Sequence, residues 1–190
     1  MKNIAACAVL AGAAGLFCLQ SQAQSLPPEL RTDVPAAALA GQAKMTFWGF
    51  DVYQATLWVV PGFAEDSYEQ SPFALELSYL RDFKGADIAK RSLAEMRRQA
   101  PMTPAQEMTW EGQMRALFPD VKAGDRITGV NQPATGAVFW SNGRLLGAVR
   151  DPSFARQFFG IWLAAQTSEP QMRRALLAQA KSTAQAATAP

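Results

Sequence analysis

The run of residues 50–60 constrains the fold more than any other part of the sequence. It is rich in β-branched and aromatic side chains, as is typical of a β-strand. Both alternating faces are largely apolar: one carries Phe50, Val52, Trp58 and Val60, and the other carries Tyr53, Leu57 and Val59. A strand with two apolar faces is usually covered on both sides. The sequence therefore predicts a sheet with other parts of the chain packed against each of its faces.

The patterns around this strand predict the rest of the architecture. Strand patterns also cover residues 44–47, 73–81, 126–130, 137–141 and 144–149, and Asn142-Gly143 is typical of a hairpin turn. Two helical patterns lie between about residues 87 and 118, and two more follow Asp151 and Ser168. Thr103 with Gln106, and Ser168 with Gln171, have the spacing of capping boxes. Because most strand links are hairpin-like, we predict an α+β fold, an antiparallel sheet layered with helices.

The N-terminal segment has the features of an export signal. Lys2 precedes an uncharged apolar run at residues 4–19, and Ser21-Gln22-Ala23 places small residues where signal peptidase reads them. We therefore expect a signal peptide at residues 1–23 and a periplasmic protein; the alternative is an uncleaved membrane anchor. Residues 24–39 are predicted to form an extended leader, residues 40–178 one domain, and the alanine-rich residues 179–190 a disordered tail.

The composition excludes several classes of function. The chain has no histidine, and its two cysteines, Cys7 and Cys18, lie inside the predicted signal. Catalytic triads that use histidine, thiolate catalysis by the exported chain and zinc sites with histidine ligands are therefore excluded. A formal net charge of +2 is too small for a nucleic-acid-binding surface. The acidic residues at 65, 66 and 69 lack the spacing of a calcium loop, so we predict no metal, no cofactor and no nucleic-acid partner.

The segment GFDVYQATLWV, from Gly49 to Val59, resembles the G-x-x-V-Y-x-x-x-L-Y/W strand of the chalcone isomerase-like family. The resemblance continues through residues 75–98, 118–126 and 151–163 and the helix at 168–177, so it covers about residues 40–178. It implies an antiparallel sheet and helices around a ligand cleft. The family includes plant flavonoid isomerases, non-catalytic fatty-acid-binding relatives and exported bacterial members, and the chain is most similar to the bacterial group.

The chain departs from the isomerases at the positions that carry their chemistry. The isomerase threonine falls at Tyr53, where the fatty-acid-binding relatives also have tyrosine, and the isomerase tyrosine and asparagine fall near Ile88 and Glu95. The upstream arginine of the fatty-acid-binding relatives falls at about Gly41. Ring closure needs cationic and hydroxyl groups to hold a phenolate and a developing enolate. The resemblance therefore implies a binding protein with no catalytic residue rather than a chalcone isomerase.

Four residues are predicted to contact the ligand. Tyr53 is predicted from the resemblance, and its alternative is a core tyrosine. Tyr79 and Arg81 share a strand face with Phe73, Leu75 and Leu77 by alternation, and Arg81 there would clamp a carboxylate. The alternative for Arg81 is a strand end that reaches solvent. Lys44 would take the place of the upstream arginine of the fatty-acid-binding relatives, which falls at about Gly41 here. The alternative is that Lys44 is a surface lysine.

These residues predict binding of a small amphipathic carboxylate such as a fatty acid. Two alternatives stay open: an isomerase of the intramolecular lyase type with an unknown substrate, and an envelope interaction module that has an exposed apolar patch and no cavity. A basic helix face carries Lys90, Arg91, Arg97 and Arg98, which would give weak contact with anionic lipid; the alternative is a solvated face. The oligomeric state is not predicted.

Overall fold

The computed structural model describes residues 26–180. The predicted signal peptide and most of the predicted tail lie outside the described residues. Six strands form the sheet: β1 (Ala38–Phe47), β2 (Phe50–Val59), β3 (Phe73–Tyr79), β4 (Arg126–Gln132), β5 (Gly136–Ser141) and β6 (Arg144–Val149). The helices are α1 (Leu30–Asp33), α2 (Gly85–Arg97), α3 (Pro104–Leu117), α4 (Pro152–Leu163) and α5 (Pro170–Leu176), with a 3-10 segment at Glu65–Gln70.

The sheet is an antiparallel meander in which each strand pairs with its neighbours in sequence, in the order β1 to β6. Helices α2 to α5 contribute their apolar side chains to a core on one face of the sheet. The predicted α+β fold, an antiparallel sheet layered with helices, is confirmed. No helix within residues 26–180 has the length and apolar character needed to cross a membrane.

The two faces of the sheet have separate cores, as the pattern of β2 predicted. Ala55, Leu57 and Val59 belong to the large core beneath the helices. Trp58 points to the opposite face, where it packs in a smaller cluster with Leu30 and Val34. This arrangement follows from the alternation of side chains along a strand.

The segment that covers the second face is the one predicted to be an extended leader, and this prediction is wrong for its helical turn. Leu30 to Asp33 form a helical turn, and Leu30 and Val34 are buried. Leu26, Leu30 and Val34 recur every four residues, which is a helical spacing. Trp140 Nε1 also donates a hydrogen bond of 3.1 Å to the Asp33 carboxylate, which ties the segment to β5.

Strand β1 begins at Ala38, six residues before the predicted strand. Its first half contains Ala38, Ala40 and Gly41, which are weak strand formers, but helix α5 packs against it. A Cβ atom at Gly41 would lie 2.1 Å from the backbone oxygen of Ala175. The absence of a side chain at Gly41 is therefore what lets α5 pack directly on this strand.

Helix starts follow the predicted caps in one case and differ in another. Thr103 and Gln106 form the predicted capping box at the start of α3. The box predicted at Ser168 does not form, because α5 begins at Pro170 behind Glu169. The Ser168 hydroxyl donates instead to a carboxylate oxygen of Glu95, at 2.8 Å. This contact places Ser168 at the cavity described next.

Candidate ligand cavity

An apolar cavity of about 340 Å³ lies between the first strands of the sheet and helices α2 and α4. This volume falls in the range of about 300–1,000 Å³ that is usual for small-molecule sites. Most lining side chains are apolar, including Met45, Val52, Leu77, Phe83, Ile88, Phe118, Phe158 and Ile161. The structure therefore contains the kind of cleft that the family resemblance implies.

Two phenols stand together in the cavity wall. Tyr53 of β2 and Tyr79 of β3 are cross-strand partners, and their ring centroids lie 6.2 Å apart in an edge-to-face arrangement. The indole Nε1 of Trp162, on α4, donates a hydrogen bond of 3.0 Å to the Tyr53 hydroxyl oxygen. Because the oxygen of Tyr53 accepts this bond, its own hydrogen stays available as a donor.

Burial keeps both phenols protonated. It raises the pKa of Tyr53 to about 12, against a smaller lowering by the Trp162 hydrogen bond. Burial also raises the pKa of Tyr79 above its ordinary value. Among residues 26–180, no group hydrogen-bonds the Tyr79 hydroxyl. The cavity thus has two neutral O–H donors, side by side, whose hydrogens no described residue accepts.

Charged groups lie where α2 meets the start of α5. Arg91 Nη2 is 2.7 Å from Glu95 Oε1, and Arg98 Nε is 3.6 Å from Glu95 Oε2. Asp87 and Glu169 also line the cavity. Among its described lining residues, Arg91 is the cation, and Asp87, Glu95 and Glu169 are the carboxylates. The cavity lining as a whole therefore has more negative than positive groups.

The structure places two of the four predicted ligand contacts in this cavity and two outside it. Tyr53 and Tyr79 line it, and their contact with a ligand stays a prediction. Lys44 is exposed and forms an ion pair of 2.7 Å with Asp51. Arg81 is exposed, with its guanidinium carbon 4.6 Å from the centroid of the Phe50 ring.

Arg81 does not line the cavity as predicted, because the strand that was expected to carry it ends two residues earlier. Strand β3 ends at Tyr79, so the alternation that assigned Arg81 to the apolar face does not reach it. The Tyr79 N–H donates to Asp125 and the Tyr79 carbonyl accepts from Gly124, each at 2.8 Å. The chain before β4 therefore ends the regular strand at this point.

Sequence reasoning did not predict Arg91, Glu95, Trp162 or Ser168 as ligand contacts, although Glu95 was mapped near the isomerase asparagine. Arg91 was assigned to a basic outer face of its helix, and Trp162 to an apolar stripe. A signal for Glu95 was present, since it lies seven residues after Ile88 and four after Arg91, which puts all three on neighbouring positions of one helix. No comparable signal marked Ser168, whose contact depends on how α5 meets α2.

The positions mapped from the isomerases meet in this cavity, apart from the arginine position. Tyr53, Ile88 and Glu95 all line it. Gly41 is buried against the backbone of α5 and is not a lining residue. The fold thus brings the expected positions together, while the side chains at these positions differ from those the chemistry uses.

A second, polar cleft lies beside the acidic residues Glu65, Asp66 and Glu69, with Arg156 and Arg173 also in its wall. Within residues 26–180, no cluster of three or more histidine, cysteine, aspartate or glutamate side chains is arranged to hold a metal ion. This cleft therefore gives no indication of a metal site.

The fold and cavity define a class: α+β proteins with an antiparallel meander and an apolar cavity between sheet and helices. The chalcone isomerase-like family model matches residues 20–178, and the chain belongs to this family. It is 27% identical over 142 residues to an uncharacterised protein of Haemophilus influenzae, covering 75% of this chain and 68% of that one. The crystal structure of a fatty-acid binding protein of Arabidopsis thaliana is similar with a TM-score of 0.61 and 11% identity, covering 78% and 90% of the two chains. At that identity, the likeness shows the fold alone.

Proposed function

We propose that this protein is a non-catalytic periplasmic binder of a small amphipathic molecule of the fatty-acid type. The observation that carries the proposal is the apolar cavity with two unused phenol donors, from Tyr53 and Tyr79, in its wall. The cavity argues against the alternative of an interaction module, which was expected to have none, although the exposed apolar patch that this alternative also predicted is present at Phe47, Trp48 and Phe50. The structural neighbour that binds fatty acids has the same fold, which is consistent with this proposal.

The energetics favour a ligand with an alkyl chain. Each methylene moved from water into an apolar cavity contributes about 0.8 kcal/mol, so a chain of about ten carbons contributes roughly 8 kcal/mol before the cost of association. A polar head in the same cavity needs hydrogen bonds, because an unpaired buried polar group is costly. Tyr53 and Tyr79 supply two donors for it.

The charges beside the phenols support a second candidate, an amphiphile with an uncharged head. A carboxylate head at the phenols would be attracted by Arg91 but repelled by Glu95 and Glu169. Arg91 is moreover already paired with Glu95. A fatty alcohol or ester would use the same phenols without this repulsion, as acceptor of their hydrogen bonds.

Calorimetric titration of fatty acids and fatty alcohols of increasing chain length tests both candidates. We expect affinity to rise with chain length until the cavity is full. If the acid binds tighter than the alcohol of equal length, the first candidate holds; the reverse order supports the second. An affinity that does not depend on chain length in either series would refute both.

Two arginine variants form a matched pair for this titration. Arg91→Ala removes the cation that lines the cavity and is expected to weaken acid binding more than alcohol binding. Arg81→Ala removes an exposed cation outside the lining, so the affinity for dissolved ligand is expected to stay unchanged. Equal effects of the two variants would contradict the placement of the ligand.

The enzyme alternative is tested with naringenin chalcone and an absorbance assay. Losing one group that stabilises an oxyanion lowers the rate roughly 100- to 1,000-fold, and Ile88 at the tyrosine position leaves no hydroxyl there. We expect no turnover above the spontaneous rate. Clear turnover would show that other residues of the cavity perform the chemistry.

The periplasmic location is part of the proposal and is supported by the features of residues 1–23. Intact-mass measurement on the exported protein is expected to show a chain that begins at Gln24. A chain that keeps residues 1–23 in the membrane fraction would support the uncleaved anchor instead.

A further inference from the structure

The turn between β1 and β2 exposes three aromatic side chains. Phe47, Trp48 and Phe50 are 52%, 87% and 59% exposed, and with Gly49 they are called the aromatic tip here. Trp48 and Gly49 have φ angles of 51° and 78°, which form a tight two-residue turn. A left-handed conformation is unfavourable for a bulky residue, and asparagine or glycine is usual at such a position. The Trp48 ring stacks on that of Phe47, with centroids 5.9 Å apart, but the backbone conformation of the turn does not account for a tryptophan at this position.

The aromatic tip adjoins the apolar cavity. Phe47 belongs to both, since it is half exposed and also lines the cavity. Met45 and Val52, from the same two strands, continue the lining inward. A surface that contacts the tip therefore lies next to the cavity wall formed by β1 and β2.

The charge beside the tip is positive. The Arg81 guanidinium stacks over the Phe50 ring at 4.6 Å and is exposed. Lys44 and Asp51 are paired at 2.7 Å and compensate each other. The exposed guanidinium next to the aromatic rings complements an anionic surface.

The size of the tip favours a lipid surface over a protein partner. Aromatic side chains have roughly 200 Å² of surface each, so the exposed parts of the three rings present roughly 400 Å². A stable protein–protein interface needs about 800 Å² from each partner. Insertion of aromatic rings into the interfacial region of a bilayer needs no such matching surface, and tryptophan is enriched there.

We infer that the aromatic tip inserts into the surface of a lipid bilayer, with Arg81 against anionic headgroups. The docked protein presents the cavity wall at Phe47 to the membrane, so that an amphipathic ligand passes between bilayer and cavity without crossing water. The transfer step rests on the proposed function, whereas the docking itself does not.

The test is flotation of the exported chain with vesicles of phosphatidylethanolamine and phosphatidylglycerol. The double variant Trp48→Asn, Phe50→Ser keeps a residue suited to the turn and is expected to lose at least tenfold in vesicle partitioning. Leu145→Ser is the matched control, because Leu145 is 53% exposed on β6, at the opposite edge of the sheet. Its partitioning is expected to match that of the wild type. Arg81→Ala is expected to weaken partitioning only when phosphatidylglycerol is present.

Three outcomes would overturn the inference: no partitioning of the wild type, equal partitioning of the double variant, or a dimer without vesicles that the double variant abolishes. The last outcome would identify a second copy of the chain as the occupant of the tip. Titration of a dissolved fatty acid separates this inference from the proposed function. Vesicle binding without fatty-acid binding would support membrane docking and refute the proposed ligand-binding function. Fatty-acid binding without vesicle binding would support the proposed function and refute membrane docking.

Discussion

Replacing each cavity phenol by phenylalanine has different consequences for stability, because the two hydroxyls have different partners. Tyr53→Phe removes the acceptor of the Trp162 Nε1 hydrogen bond, and Trp162 is only 5% exposed. A buried donor left without a partner costs about 1–3 kcal/mol of unfolding free energy. For a chain of this size, that corresponds to a fall in Tm of roughly 2–12 °C. Tyr79→Phe breaks no hydrogen bond to any described residue and is expected to change the unfolding free energy by less than about 0.5 kcal/mol.

Ligand binding is expected to respond to both changes. If each phenol donates to the ligand head, each variant loses one hydrogen bond. The loss is worth about 0.5–1.5 kcal/mol for a neutral head, roughly 2- to 12-fold in affinity, and about 1.5–3 kcal/mol for a carboxylate. Urea denaturation gives the stabilities, and calorimetric titration with the same fatty acid gives the affinities. The pair thus separates a structural from a ligand-binding contribution at neighbouring positions.

Two results would refute this reasoning. If Tyr79→Phe destabilises the protein as much as Tyr53→Phe, the hydrogen bond to Trp162 is not what distinguishes the two phenols. If neither variant changes ligand affinity, the head does not lie at the phenols. A double-mutant cycle with Trp162→Phe isolates the energy of coupling between Tyr53 and Trp162, which is expected to be stabilising.

Three further predictions concern stability. Burial raises the pKa of Glu76 above its ordinary value of 4.5, so the folded protein binds a proton at Glu76 more tightly than the unfolded chain does. The stability gained in this way is fully present below pH 4.5 and is lost as the pH rises through the raised pKa. Thermal unfolding from about pH 4 to pH 8 should therefore show Glu76→Gln gaining relative to wild type; a constant difference would contradict this. Gly41→Ala should cost about 1–3 kcal/mol in urea denaturation, because its Cβ would lie 2.1 Å from the Ala175 oxygen; an unchanged midpoint would show that α5 adjusts freely. Leu30→Ala, in the buried segment before β1, should cost about 2–5 kcal/mol by the same assay, and a cost near zero would show that the segment adds no core.

The sheet and its two cores were predictable because strand alternation is a local property of the sequence. The two-sided apolar pattern of residues 50–60 required cover on both faces, and the structure has separate cores on either side of β2. Alternation along β3 also grouped Tyr79 with Leu77, and both line the cavity, whereas Tyr53 was predicted from the family resemblance. Alternation assigns a side chain to the correct face of the sheet when the residue lies within the regular part of its strand.

The errors arose where distant parts of the chain decide the local structure. Arg81 was assigned by extending the alternation of β3, but hydrogen bonds between Tyr79 and residues 124 and 125 end the strand first. The segment around Leu30 was treated as extended because prolines precede it, although the Leu30 N–H donates to the carbonyl of Pro27 at 3.0 Å and starts a turn. The sequence at Ser168 fits a capping box, yet its hydroxyl bonds Glu95 of another helix. These outcomes depend on tertiary contacts, which local spacing does not contain.

The cavity itself shows why family membership and fold do not decide between enzyme and binder. Tyr53, Ile88 and Glu95 occupy the positions that the isomerase comparison maps, and all three line one cavity. An isomerase stabilises negative charge that develops on its substrate, which requires donors or cations at these positions. Here Tyr53 does offer a donor, but Ile88 offers neither a donor nor a cation, and the carboxylate of Glu95 opposes that charge. The same apolar walls and neutral phenols suit a bound ligand that does not change its charge. The side chains of the cavity, rather than the fold that positions them, are therefore the basis for the proposal that a ligand is bound and not converted.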